Sequence, residues 1–176
     1  MGICTFRLLP VGPGLIEVSG FSRRVLFNEL SKIIPNLWFF IFKAKGSKPF
    51  YEIHTHLANV SEFNPDGWLR CYVRIAELLQ MNPEMKGFQR SSWLVDPALS
   101  EISPRLEYLR IVPSANGAKI FFVKKEDESC GALSKSETRK MLYHEGKYIP
   151  RAFLLLWPRK EMINYVNENN KNPCIN

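Results

Sequence analysis

The run Phe153-Leu154-Leu155-Leu156-Trp157 decides how the rest of the chain is read. Five consecutive apolar residues without alternation are too few for a fully buried helix, so they predict a strand hidden on both faces in the middle of a sheet. Pro158 follows, and a residue without an N–H is expected to open a last helix, with Met162, Ile163 and Val166 on one side. A second apolar run, Leu37 to Phe42, reads as another central strand.

Upstream of that run, Ala118 to Val123 reads as a further strand, entered through the Asn116-Gly117 turn. Ser134-Lys135-Ser136-Glu137 has capping-box spacing and opens a helix that reaches Glu145, where Gly146 stops it. Trp93 to Val95 reads as a short strand, and Ser103 caps a helix over Pro104 to Ile111. In the first half, Phe50 to His56 alternates, placing Tyr51, Ile53 and Thr55 on one side and Phe50, Glu52, His54 and His56 on the other. Asn64-Pro65-Asp66 then opens a helix whose Trp68, Leu69, Tyr72, Ile75, Ala76 and Leu79 keep the helical period until Asn82-Pro83. Ser22 caps a helix bearing Val25, Leu26, Leu30, Ile33 and Ile34, which Pro35-Asn36 ends. Phe6 to Leu9 and Leu15 to Val18 read as a short hairpin around Pro10 to Gly14, or as two edge strands broken by those turn residues. This interleaving predicts an α/β (or α+β) fold with one mixed, largely central sheet covered by helices. A single domain is expected over 1–168, with a frayed, Asn-rich tail at 169–176.

Composition limits the function classes. With 176 residues, 45% of them apolar, the chain has material for one well-buried core. Its 24 Lys and Arg against 17 Asp and Glu leave a charge of +7, yet no run reaches five basic residues. The excess reads as dispersed, without the basic stripe and interleaved aromatics of a nucleic-acid face. Cys4, Cys71, Cys130 and Cys174 form no Cys-x-x-Cys pair, which excludes a zinc knuckle or dithiol redox motif. Neither a Gly-x-Gly-x-x-Gly nor a Gly-Lys-Ser phosphate loop occurs. The longest apolar run falls far short of the roughly twenty residues that span a bilayer, and a cytoplasmic chain is the economical expectation.

Glu52, His54 and His56 are the most reactive-looking group. Alternate strand residues point the same way, so a carboxylate and two imidazoles share one face. They can serve proton transfer, or His54 and His56 can ligate a metal whose third ligand comes from elsewhere, or the face simply meets solvent. Ser103 and Arg105, at a helix start, are the one place that reads as an anion site. Ser92 lacks the Gly-x-Ser-x-Gly elbow of an exposed nucleophile, and Asp96 reads as a cap.

From Trp93 onward the order of elements, with Leu94-Val95-Asp96-Pro97 and the stretch Thr138 to Tyr148 before the Phe153 strand, resembles the second half of the GCN5-related N-acyltransferases. The resemblance implies an acyl-coenzyme A cofactor and an amine substrate. It makes Tyr143 similar to the family's general acid for the departing thiolate, with Glu52 or His54 taking the amine proton. Ser103 and Arg105 would stand where the family's Gly-rich turn holds the pyrophosphate, although Leu99 to Arg105 contains no glycine. Tyr143 also lies three residues before Gly146, where the family has four. The expected function is acyl-coenzyme A-dependent N-acyl transfer. The alternatives are a non-catalytic ligand- or partner-binding module and a metal-dependent enzyme built on His54 and His56.

Overall fold

In the computed structural model, which describes residues 7–55 and 57–171, the strands are β1 (Leu9–Pro10), β2 (Gly14–Ser19), β3 (Phe50–Thr55), β4 (Gly87–Ser92), β5 (Lys119–Lys125) and β6 (Arg151–Pro158). The helices are α1 (Ile33–Trp38), α2 (Pro65–Met81), α3 (Leu99–Ile102), α4 (Tyr108–Ala115), α5 (Gly131–Ser134), α6 (Glu137–His144) and α7 (Arg159–Lys171). One mixed sheet has the order β1-β2-β3-β4-β6-β5, which is the expected α/β architecture. The last strand, β6, inserts between β4 and β5, runs antiparallel to both, and is buried from Ala152 to Pro158, as the apolar run predicts. Among the described residues β3 and β4 are the one parallel pair, and a parallel pair needs a crossover, which α2 supplies.

Helices cover both faces. On one side Trp68, Tyr72, Phe88, Leu155 and Trp157 form the larger core with residues of α2, α4 and α7. Tyr72 meets Trp157 edge-on with ring centroids 5.2 Å apart. The other face is covered by a 3-10 turn over Arg23–Phe27 and by α1, which runs on as a π-helical turn over Phe39–Ala44. There Val25, Leu26 and Phe39 pack on Phe50, Phe121 and Leu154. α2 starts where predicted: Asn64 accepts a hydrogen bond from the Gly67 N–H at 2.9 Å, and Pro65 occupies the first turn. Gly67 is required there, because a Cβ would stand 2.0 Å from the carbonyl oxygen of Glu62.

Several expectations need correction. Leu37 to Phe42 is helical, not a strand, and Pro35-Asn36 lies in the first turn of that helix, which begins at Ile33, instead of ending one. Proline lacks only an N–H that the first turn leaves free, and the Asn36 side-chain amide donates to the Leu26 carbonyl at 3.0 Å, pinning the entry. Ser22 caps only the 3-10 turn, which buries Val25 and Leu26 but leaves Leu30 and Ile34 in the open. Trp93 to Val95 is a 3-10 turn capped by Ser92; the strand is the preceding Gly87–Ser92, masked by its polar residues. Ser103 makes no cap bond, and a single turn over Pro104–Leu106 precedes α4. The cap of α6 is Ser136, not Ser134, while Gly146 (φ 69°) ends it as expected. α7 begins at Arg159 and stays helical to Lys171, so 169–171 is ordered helix; residues 172–176 lie outside the described part, as does Phe6. Among the described residues no helix is long and apolar enough to cross a membrane.

Candidate functional site

The two parallel strands part almost as soon as they meet. Their ladder holds only Tyr51 opposite Phe88 and Glu52 opposite Gln89. Beyond that point β3 stays with β2 through Ile53, His54 and Thr55, while β4 stays with β6 through Arg90, Ser91 and Ser92. Among the described residues no paired positions follow Glu52 and Gln89 on these two strands, so the ladder between them stops there. The gap opens at the carboxyl ends of the parallel strands, the place where open α/β sheets take their ligands.

On the α2 side of the gap stands Arg90, which is 4% exposed. Its guanidinium lies over the Trp68 ring, 4.7 Å from the centroid. The titratable groups around it are Tyr72, Cys71 and Tyr108, with no carboxylate among them, and burial pushes the guanidinium down to about 10. Two further polar atoms in this neighbourhood, the Trp68 indole nitrogen and the Tyr108 hydroxyl, are buried and lack a hydrogen-bond partner among the described residues. Burial raises the Tyr108 hydroxyl to about 12 even though Arg90 opposes the shift, and raises the Cys71 thiol to about 12 as well. Arginine and indole only donate and a protonated phenol can, so the cluster offers positive charge and spare N–H and O–H groups to an acceptor. Such a set is complementary to an anion. Sequence reasoning missed Arg90. Reading 87–92 as a strand would have exposed it, since Phe88 and Arg90 then share an inward face.

Glu52 and His54 do share the opposite face. Glu52 Oε2 accepts from Gln89 Nε2 at 3.0 Å across the top of the gap, and the same amide nitrogen donates to the Gly20 carbonyl at 3.3 Å. Gln89 Oε1 is buried without a partner. His54 Nε2 lies 2.9 Å from Glu17 Oε1 on an exposed stretch. His56 falls outside the described residues, and among those described no three His, Cys, Asp or Glu side chains are grouped to hold a metal.

The remaining candidates lie elsewhere. Tyr143 stands on α6, edge-on to His144 at 5.9 Å, and shares no hydrogen bond or ring contact with Glu52 or His54. Ser103 is engaged in structure: its hydroxyl accepts from Arg139 Nη1 at 2.9 Å, while Arg139 Nε donates to the Ala132 carbonyl and the guanidinium covers Trp93 at 4.8 Å. Arg105 is exposed on a single 3-10 turn, which has no helix dipole to offer an anion. Asp96 is not the cap of α3, whose cap position is Ala98; it accepts from the Ala98 N–H at 3.0 Å in the turn before that helix, from the Arg151 backbone N–H at 3.2 Å, and forms a two-pronged ion pair with the Arg151 side chain at 2.7 and 3.3 Å.

No family model, no curated protein and no solved structure matches this chain.

Proposed function

We propose that the protein is an acyl-coenzyme A-dependent N-acyltransferase whose cofactor arm enters the gap between β3 and β4. The observation that carries the reading is the parting of these strands after Glu52 and Gln89. Strand ends beyond a ladder that stops suit an extended ligand rich in amides, because peptide-like groups pair with sheet edges as an added strand does. The pantetheine arm of coenzyme A is such a ligand. Arg90, with the Trp68 and Tyr108 donors, supports an anionic part of the bound molecule. The donors gathered there suit the amide and anionic groups of the cofactor, and the position differs from the Ser103 and Arg105 site that the resemblance implies.

The bound thioester would supply an activated acyl carbon. Glu52, fixed by the Gln89 amide at the mouth of the gap, accepts the proton of an incoming amine. Tyr108, kept protonated by burial beside Arg90 on the sheet face opposite Glu52, serves as a donor to the anionic part of the bound molecule, and the proton-donor role that the resemblance gives to Tyr143 stays unassigned. His54 orients with Glu17 on the outer part of the same strand face.

Thermal unfolding in the presence of acetyl-coenzyme A, with ATP as control, tests the reading. A ligand at 100 times its Kd adds about 2.7 kcal/mol, which for a chain of this size is a rise of about 5–10 °C. Glu52→Gln is expected to keep that rise and lower amine acylation by about 10²–10⁴. A rise without transfer to any amine would leave a binding module, and no rise with any acyl-coenzyme A would retire the proposal.

A further inference from the structure

The helical stretch from Leu30 to Ala44 is apolar on both sides but buried on only one. Asn36, Phe39 and Ala44 face the protein, with Leu37 and Phe40 packed beside them. Leu30 and Ile34 are more than four-fifths exposed, and Trp38, Ile41 and Phe42 more than half. Their spacing of three and four residues lines them along one side, and the Trp38 and Phe42 rings touch, with centroids 5.6 Å apart. Five large apolar side chains grouped in this way are not the scattered exposure of an ordinary surface.

Charge accompanies them. Residues 22–48 hold Arg23, Arg24, Lys32, Lys43, Lys45 and Lys48 against the single acid Glu29. This one segment supplies five of the seven net positive charges, so the excess is concentrated around the apolar stripe. Lys32 pairs with Glu29 at 3.0 Å and Lys43 with Glu161 at 2.5 Å, and both remain substantially exposed.

We infer that this face docks on an anionic lipid surface, with Leu30, Ile34, Trp38, Ile41 and Phe42 entering the interface and the flanking Arg and Lys side chains meeting the headgroups. Trp and Phe with aliphatic residues on one side and lysines at the margin is the composition of helices that lie in a membrane surface without crossing it. A second copy of the chain is a poorer occupant. A two-fold contact would set the same basic segment against itself, and like charges at close range repel. The stripe covers the sheet face opposite α2 and Arg90, the face that also carries Glu52 and Gln89.

Co-sedimentation with vesicles of phosphatidylcholine alone and of phosphatidylcholine with one-third phosphatidylglycerol tests this. The full chain should bind the anionic vesicles about tenfold or more better, lose that margin at high salt, and show a blue shift of Trp emission that Trp38→Phe removes. The double variant Ile34→Ser/Trp38→Ser alters only exposed positions; it should unfold at an unchanged temperature and no longer bind. Arg24→Glu/Lys45→Glu should weaken binding with the apolar stripe intact. The inference is overturned if the full chain ignores anionic vesicles or if the Ile34/Trp38 variant binds as well. It is equally overturned if the chain sediments as a dimer that this variant dissolves, which would make the face a contact between copies.

Discussion

Arg90→Met is expected to make the protein more stable while emptying its candidate ligand site. The wild-type guanidinium is fully buried without a carboxylate, and the drop from 12.5 to about 10 corresponds to about 3 kcal/mol against the charged form in the folded state. Stacking on Trp68 returns about 0.5–2 kcal/mol of this. Methionine keeps an unbranched apolar stem of similar reach, and its thioether suits an aromatic face, so most packing survives. The balance favours the variant by about 1–2 kcal/mol. The sign holds over the whole working range, because a base whose folded value is depressed to about 10 is charged in both states at every pH well below that, and its cost is constant there.

Urea unfolding at pH 7 should therefore show a higher midpoint with an unchanged slope, and thermal unfolding a rise of about 3–6 °C. A loss of more than about 2 kcal/mol would refute the reasoning, since that is the mark of a guanidinium already satisfied by an acceptor, which its removal orphans. The companion measurement is ligand binding. A buried cation with no carboxylate beside it among the described residues adds little as scaffold, and the variant should lose the stabilisation by acyl-coenzyme A that the proposed function expects of the wild type.

Three other outcomes follow from single contacts. Arg151→Met leaves the fully buried Asp96 carboxylate without its counter-charge and should lower stability by about 3 kcal/mol in urea; an effect under about 1 kcal/mol would show that the two backbone donors, the Ala98 and residue-151 N–H groups, suffice. Gly67→Ala drives a Cβ into the Glu62 carbonyl and forces the backbone apart, a loss of about 2–3 kcal/mol by thermal unfolding, whereas an unchanged melting temperature would contradict the close approach. Cys71 is buried with its thiol pushed up to about 12, so peptide mapping after maleimide treatment at pH 8 should find half-buried Cys130 modified and Cys71 untouched; labelling of native Cys71 would refute the packing.

How far the sequence discloses the fold depends on where each residue's partner lies. β6 is legible because Phe153 to Trp157 needs no partner identity, only exclusion from water on both sides. α2 is legible because its cap, its proline and its apolar period are local. β4 is not, because the burial of Gln89 depends on Glu52 and Gly20, far away in the chain, and that of Arg90 on Trp68 of α2. A polar residue satisfied at long range looks, in one dimension, like a surface residue. The same asymmetry divides the candidate site: Glu52 is legible from the alternation of its own strand, while Arg90 needs the three-dimensional neighbourhood to be recognised as a buried cation. Ser103 errs the other way, since its local signal for a cap is outcompeted by Arg139, which uses the hydroxyl as an acceptor.

Leu37 to Phe42 shows the limit of apolar runs in a sharper form. Its letters are as apolar as those of Phe153 to Trp157, and both imply that two faces leave water. For β6 the two faces meet helices of the same chain. For the helix around Trp38 only one face does. The difference lies in the flanking charges. The arginines bordering β6 are consumed internally, Arg151 by Asp96 and Arg159 by the Leu79 and Asn82 carbonyls at the end of α2. The segment around Trp38 instead carries six cations with one acid of its own. A run whose basic neighbours are used up inside the fold is core on both sides. One whose neighbours stay exposed still has a face to fill, and the charge around it favours an anionic surface.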